Sequence, residues 1–174
     1  NNATKRTSAS DSVINCIVSG KDKFVCGHNN GQFSYSLDGI NWQVSNVINY
    51  AGGWGFVKNV EYDNNKFVAI GGTNIFHSDD GITWNVIDIS AAAGGLLDGS
   101  GLTTGGNFQG CLTYNSHQNK WFAISSHIIF ESGDGENWAF DAQYHDGGVN
   151  AKFPAGLGFK GLDCNPNNGF MVAS

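Results

Sequence analysis

The stretch FHSDDGITW, residues 76–84, occurs three times in this chain in closely related form. The other copies are YSLDGINW, which ends at Trp42, and FESGDGENW, which ends at Trp138. Each copy begins with an aromatic residue, continues with Ser, Asp and Gly in a short polar turn, and ends with Trp. Such repeats decide the fold, because each is one structural unit that must pack against its neighbour.

The spacing of the three copies indicates the size of the unit. Their tryptophans lie 42 and 54 residues apart, close to the length of a four-stranded propeller blade. A polar turn followed by an apolar strand recurs in step, as GKDKFVC, DNNKFVAI, HQNKWFAI and NPNNGFMVA. A short β-type run precedes each of these turns, so each full unit contains four strands joined by turns.

These units predict an all-β fold, a β-propeller of four-stranded antiparallel blades with about three and a half blades in this chain. After an N-terminal linker at 1–12, the partial propeller occupies 13–174. The predicted blades cover about 13–45, 56–89, 108–143 and, as a half blade, 159–174. The connectors between them are 46–55, 90–107 and 144–158, and no long helix is expected.

Composition and charge argue against two classes of partner. The net charge is −6 and the single arginine is Arg6, so the basic stripe that a phosphate backbone requires is missing and nucleic acid is not expected. No run approaches the length of a membrane-spanning helix, so a membrane is not expected either. The four cysteines have no CxxC spacing and are interpreted as core thiols.

Turn chemistry explains the polar part of the repeat. An Asp in such a turn accepts hydrogen bonds from backbone N–H groups two residues on, and the following Gly supplies a positive φ. Ser adds a second side-chain bond to the same turn. The Trp then starts the fourth strand and is expected to place its ring in the packing between neighbouring sheets.

The three copies resemble Asp-box (BNR-like) repeats, the hairpins of β-propellers in sialidases, some glycoside hydrolases, sorting receptors and many phage tail proteins. The copies here have one residue fewer between Asp and Gly, and with the preceding KFVA-type strand they are most similar to propellers of phage tails or fibres and of bacterial surface proteins. The resemblance implies a structural role, away from any binding face, for Ser36, Asp38, Gly39, Trp42, Ser78, Asp80, Gly81, Trp84, Ser132, Asp134, Gly135 and Trp138.

No catalytic residue is predicted. A sialidase binds its substrate carboxylate with several arginines, and this chain has only Arg6. A glycosidase would need two carboxylates, and those outside the boxes and tight turns are interpreted as solvated groups: Glu61, Asp88, Asp98, Asp141 and Asp146.

Metals and cofactors are not predicted. The five histidines are spread over different units without the spacing of a zinc site, and the boxes lack the alternating acids of a calcium loop.

Binding is assigned to the connectors, because those after each fourth strand emerge on one face of a propeller. The candidate binding residues are Tyr50, Trp54, Tyr144, His145 and Phe153. Aromatic rings among glycine and asparagine suit glycans, whose C–H faces stack on rings, and suit protein contacts equally.

Three and a half blades leave a propeller open, with exposed sheet faces. Closure is expected from the rest of the same polypeptide or from a homo-oligomer, and the third alternative is an open arc packed on a different protein. The predicted function is a non-catalytic structural and binding module of a phage tail or fibre assembly. It would be located in the virion or at the cell surface, and would contact virion or surface proteins or a glycan. The alternatives are the N-terminal part of a glycoside hydrolase with its catalytic residues elsewhere, and a bacterial surface adhesion domain.

Overall fold

The computed structural model describes residues 9–47, 56–89, 108–125, 128–140, 162–165 and 171–173. These residues form strands, turns and links, and no helix is present among them. The strands pair into four sheets, three of which follow one another along the chain with antiparallel four-stranded cores. The predicted all-β class is confirmed.

Blade one is a four-stranded sheet in the order β1-β2-β3-β4. Its strands are β1 (Ile14–Gly20), β2 (Lys23–His28), β3 (Phe33–Ser36) and β4 (Gln43–Val44). The tight turn between β1 and β2 places Lys21 and Asp22 at φ 45° and 60°. Positive φ at both central residues is the geometry of a hairpin turn whose twist matches the strands.

Blade two has the same antiparallel core and one additional strand, in the order β5-β9-β8-β7-β6. Its strands are β5 (Asn46–Val47), β6 (Asn59–Asp63), β7 (Lys66–Gly71), β8 (Asn74–Ser78) and β9 (Thr83–Asp88). The chain leaving blade one pairs in parallel with β9 through Asn46 and Val47 before it continues. The sequence analysis placed these two residues in a connector. It missed their pairing because parallel pairing with a distant strand leaves no pattern in the local sequence.

Blade three repeats the four-stranded order β10-β11-β12-β13, and a two-stranded sheet, β14-β15, follows it. The strands are β10 (Phe108–Asn115), β11 (Lys120–Ser125), β12 (Ile128–Ser132), β13 (Ala139–Phe140), β14 (Leu162–Cys164) and β15 (Met171–Ala173). The β14-β15 hairpin corresponds to the inner half of a fourth blade.

Two apolar clusters lie between the sheets. The cluster between blades one and two contains Val25, Phe33, Val57, Val60, Phe67, Ala69, Phe76 and Trp84. The cluster between blades two and three contains Val68, Ile70, Ile75, Ile89, Leu112, Trp121, Ala123, Phe130 and Trp138. At each of these two junctions the earlier blade contributes what we call its back face, and the later blade contributes its front face.

Cys16 and Cys26 lie on opposite faces of blade one. Cys16 is opposite Gly27 and Cys26 is opposite Ile17, in the register that runs without a break from the Gly20–Lys23 pair at the turn. All four cysteines are free thiols. Burial raises the pKa of Cys16 to about 12 and that of Cys26 to about 11, so both remain protonated core groups.

Among the described residues, no helix is long and apolar enough to cross a membrane.

Candidate functional site

The three predicted turns share one hydrogen-bonding pattern, and we call them box one (36–42), box two (78–84) and box three (132–138). In box two, Asp80 Oδ1 accepts the backbone N–H groups of Ile82 at 2.8 Å and Thr83 at 2.7 Å. Ser78 Oγ donates to the same carboxylate at 3.0 Å and accepts the N–H of Gly81 at 2.8 Å. The N–H of Asp80 also donates to Ser78 Oγ, at 3.3 Å, so the two side chains satisfy four backbone donors of the turn.

Boxes one and three use the same bonds and add one more. Asp38 Oδ1 accepts the N–H groups of residues 40 and 41, and Asp134 Oδ1 accepts those of residues 136 and 137. In addition, the side-chain amides of Asn41 and Asn137 donate to Oδ2 of these aspartates, at 2.8 Å and 2.7 Å. Box two has Thr83 in that place, so its aspartate lacks this amide bond.

These donors control the charge of the box carboxylates. For Asp38 and Asp134, the following backbone N–H groups and the Asn side chains hold the pKa well below its usual range. Burial acts to raise the pKa of Asp80, but the N–H groups of Thr83 and Ile82 outweigh it and the net shift is also downward. All three carboxylates are therefore ionised hydrogen-bond acceptors at neutral pH and are poor proton donors.

Removing the carboxylate of box two should destabilise the hairpin. We expect Asp80→Ala to lower the free energy of unfolding by about 1–3 kcal/mol, because the turn N–H groups lose their acceptor. The matched control is Asp79→Ala, one residue earlier, whose side chain is 78 % exposed and whose ion pair with Lys66 is worth about 0–1 kcal/mol. Urea unfolding of both variants measures the difference, and equal losses would contradict the turn assignment.

The lowered pKa values also predict a dependence of stability on pH. A carboxyl whose folded pKa lies below its unfolded value of 3.8 contributes fully above that value and loses its contribution as the pH falls below it. We expect the double variant Asp38→Asn/Asp134→Asn to be less stable than the unmodified chain at pH 7. Between roughly pH 5 and pH 2, where carboxylates take up protons, the double variant should lose less stability than the unmodified chain does. Denaturant unfolding at each pH tests this, and parallel curves would refute it.

The glycine of each box has a positive φ, with values of 71° at Gly39, 72° at Gly81 and 76° at Gly135. In boxes two and three this glycine also faces the preceding blade. A Cβ at Gly81 would lie 3.0 Å from Val25 and 3.3 Å from Lys23, and one at Gly135 would lie 3.0 Å from both Val68 and Lys66. The box therefore sits on the Lys-x-Val segment of the blade before it.

The box tryptophans differ in their surroundings. Trp84 is fully buried, stacks on Phe33 with ring centroids 3.8 Å apart, and donates from Nε1 to the Gly81 carbonyl at 3.3 Å. Trp138 is also buried and makes the same bond to Gly135 at 3.1 Å. Trp42 is only half-buried. Trp84 lies within β9, whereas the other two tryptophans precede their short fourth strands.

A charged contact joins box three to blade two. Lys66 Nζ lies 2.9 Å from Asp79 Oδ1 and donates to Glu136 Oε1, while His77 Nδ1 lies 3.8 Å from the same Glu136 oxygen. Burial lowers the pKa of His77, which favours the neutral imidazole. The sequence analysis assigned no role to Lys66. The available signal was that a Lys recurs at the start of each of the first three apolar strands. Such a Lys could have been matched with the acidic residues of the next box.

The five predicted binding residues lie outside the described residues, in the segments 48–55 and 141–161. Their contribution to a binding face therefore remains a prediction. Within the described part of the chain, no group of His, Cys, Asp and Glu side chains is arranged to hold a metal ion. The box residues, by contrast, are brought together by the turns as hydrogen-bonded units at the blade junctions.

Comparison with family profiles and with curated proteins finds no match for this chain. Solved structures do resemble it. The extracellular domain of BT4673 from B. thetaiotaomicron is 10% identical, with a TM-score of 0.61 over 92% of this chain and 19% of its own length. The likeness to this propeller-type domain agrees with the succession of antiparallel four-stranded sheets along the chain. The fold is a β-propeller.

Two further propellers show what share of a solved propeller's length this chain covers. YCF48, solved bound to a D1 peptide, is 17% identical, with a TM-score of 0.57 over 93% of this chain and 48% of its own. The computationally designed Ika8 protein is 13% identical, with a TM-score of 0.55 over 94% of this chain and 43% of its own. The chain thus spans less than half the length of each of these three proteins.

Proposed function

We propose that this propeller segment is a non-catalytic structural and binding module of a phage tail or fibre assembly, located in the virion or at the cell surface. In this proposal its Asp boxes are scaffold, and its connectors contact a protein partner or a surface glycan. The propeller is completed by the rest of its own chain or by further copies. No cofactor takes part.

The observation that carries the proposal is the state of the box carboxylates. Asp38, Asp80 and Asp134 each accept two backbone N–H groups and a Ser hydroxyl, which keeps them ionised and fixed in their turns. A glycosidase requires one carboxyl that can deliver a proton and a second that faces the same sugar bond. The repeated carboxylates of this chain are instead used to build hairpins, which supports a structural role.

A bacterial surface adhesion domain is the second candidate, supported by the likeness to the extracellular domain of BT4673. YCF48 adds an example of a propeller of this type solved with a peptide bound. In both candidate functions the chain is a non-catalytic binding module. In the first its partner is a virion component, and in the second it is a ligand at a bacterial surface.

The connector residues provide the test. We expect Trp54→Ala and Tyr144→Ala to weaken retention of the chain on a glycan array several-fold without lowering its melting temperature, because a ring that stacks on a sugar contributes to binding and not to the core. Thr83→Ala, in the exposed part of box two, is the control that should alter neither property. A matching drop in melting temperature would make these rings core residues.

The same preparation separates binding from hydrolysis. Incubation with a panel of fluorogenic glycosides is expected to release no fluorophore. Turnover that depends on a carboxylate of this chain would overturn the non-catalytic assignment, and would favour the alternative in which the chain is part of a glycoside hydrolase.

A further inference from the structure

His77 lies where blade three attaches to blade two. It is opposite Val68, which belongs to the apolar cluster between these two blades, so the imidazole is on the back face of blade two. Its side chain is 13 % exposed, and Nδ1 lies 3.8 Å from Glu136 Oε1 of box three. That distance is too long for a hydrogen bond. A titratable ring is therefore enclosed at the junction without a bond to the nearest carboxylate.

The carboxylate nearest to His77 is already engaged by a lysine. Lys66 Nζ donates to Glu136 Oε1 and lies 2.9 Å from Asp79 Oδ1, and the lysine side chain is only 14 % exposed. Burial acts to lower the pKa of Lys66, but its hydrogen bonds to Glu136 and Asp79 outweigh burial and the net shift is upward. Lys66 is thus a fixed positive charge, bound to the oxygen that a protonated His77 would need.

The charged groups that face His77 come from three elements. They are Lys66 at the start of β7, Asp79 in box two, and Asp134 and Glu136 in box three. Burial has the largest effect on the pKa of His77 and lowers it, Glu136 raises it, and Lys66 lowers it again. The two aspartates also raise it, yet the net shift is downward. The neutral imidazole is therefore the form that fits the assembled junction.

The corresponding positions in the other blades hold groups that do not become cationic. The residue directly before the box serine is Glu131 in blade three, and its Oε1 accepts a bond from Lys120 Nζ at 2.9 Å. In blade one it is Tyr35, whose hydroxyl donates to Gln43 Oε1 at 2.7 Å. Among these three blades, blade two alone has at this position a side chain that gains a positive charge near neutral pH, namely His77.

We propose that His77 makes the junction between blades two and three sensitive to pH, so that blade three is held at neutral pH and loosens when the imidazole takes up a proton. Protonation places a second positive charge beside Lys66 in a site shielded from water. The new charge is better solvated when box three moves away from the back face of blade two. This inference goes beyond the proposed function, because it does not depend on what the connectors bind.

The sign of the effect follows from proton linkage. His77 takes up a proton less readily in the folded chain than at its ordinary pKa of 6.5. Well above pH 6.5 the ring is neutral in both states, and the folded state keeps its full stability. As the pH falls below 6.5, the unfolded chain binds the proton first, so stability is lost until the folded form is protonated too. Each unit of lowering corresponds to about a tenfold larger unfolding constant in acid.

Urea unfolding of the 174-residue chain at roughly pH 7.5 and pH 5.5 tests this, because histidines titrate in that window and ordinary carboxylates do not. The urea midpoint of the unmodified chain should fall on acidification. His77→Gln keeps a neutral polar side chain and should reduce that fall, with an unfolding constant several-fold less sensitive to pH. The chain has five histidines, and the difference between the two proteins removes the contribution of the other four.

Glu136→Gln tests the same geometry in the opposite direction. It removes the carboxylate nearest to the imidazole, so protonation of His77 becomes more costly and the fall in midpoint should be steeper than in the unmodified chain. Hydrogen exchange locates the effect. After correction for intrinsic exchange rates, β12 should lose protection at the lower pH in the unmodified chain and keep it in His77→Gln, while β2 of blade one keeps its protection in both.

The results separate clearly. A smaller fall for His77→Gln, a steeper one for Glu136→Gln and a loss of protection confined to the junction support the proposal. Equal falls in the unmodified chain and His77→Gln overturn it, as does a fall in Glu136→Gln that is no steeper. Protection lost equally in β2 and β12 also overturns it, since the whole chain would then be opening. Failure of glycan retention would count against the proposed binding function alone.

Discussion

Replacing Trp84 with Ala is expected to lower the free energy of unfolding by about 3–5 kcal/mol, as is typical for a large aromatic side chain removed from a core. Trp84 is fully buried between blades one and two and stacks on Phe33 at 3.8 Å. Phe67 lies on another side, with ring centroids 6.3 Å apart. The substitution would leave a cavity that rigid sheets on both sides cannot close. Urea unfolding followed by circular dichroism measures the loss.

Trp42→Ala is the matched control for this prediction, because Trp42 occupies the same position in box one but is only half-buried. Its replacement should lower the free energy of unfolding by clearly less than the Trp84 change does. Equal losses would show that the two rings have the same surroundings, contrary to the structure.

The second large effect is expected at Gly81. Gly81→Ala should lower the free energy of unfolding by about 2–5 kcal/mol, the sum of placing a side chain at positive φ and overpacking a tight junction. The φ of Gly81 is 72°, and its new Cβ would lie 3.0 Å from Val25 and 3.1 Å from Phe67. Both neighbours are fully buried, so neither can move aside freely.

Gly39→Ala separates the two causes. Gly39 has nearly the same φ, 71°, but a Cβ there would approach only Phe24, at 3.5 Å, which is ordinary contact. Its replacement should cost only the backbone contribution, about 1–2 kcal/mol. Thermal or urea unfolding of both variants gives the difference. A loss at Gly39 as large as that at Gly81 would mean that the box does not press on the preceding blade.

The local part of this structure could be predicted from sequence, because it depends on residues close together in the chain. The turn bonds of Ser78, Asp80 and Gly81 follow from the chemistry of those residue types within a few positions of one another. The strand order within a blade follows in the same way, since consecutive strands joined by short turns pair with each other.

The non-local part could not be predicted in the same way. The parallel pairing of Asn46 and Val47 with β9 depends on a strand that lies nearly forty residues later. The ion pair of Lys66 with Glu136 depends on where blade two meets blade three. The difference between Trp42 and Trp84 is also invisible in the repeat, because it is set by the presence of a neighbouring blade and not by the box.

The central claim is that Trp84 and Trp138 each fasten their blade to the blade before it. A double-mutant cycle between Phe33, on blade one, and Trp84, on blade two, measures this most directly through the free energies of unfolding of Phe33→Leu, Trp84→Leu and the double variant. A stacked aromatic pair at 3.8 Å should give a coupling free energy of about 0.5–1.5 kcal/mol. Losses that are simply additive would contradict the claim, since they would mean that the two rings do not hold the blades together.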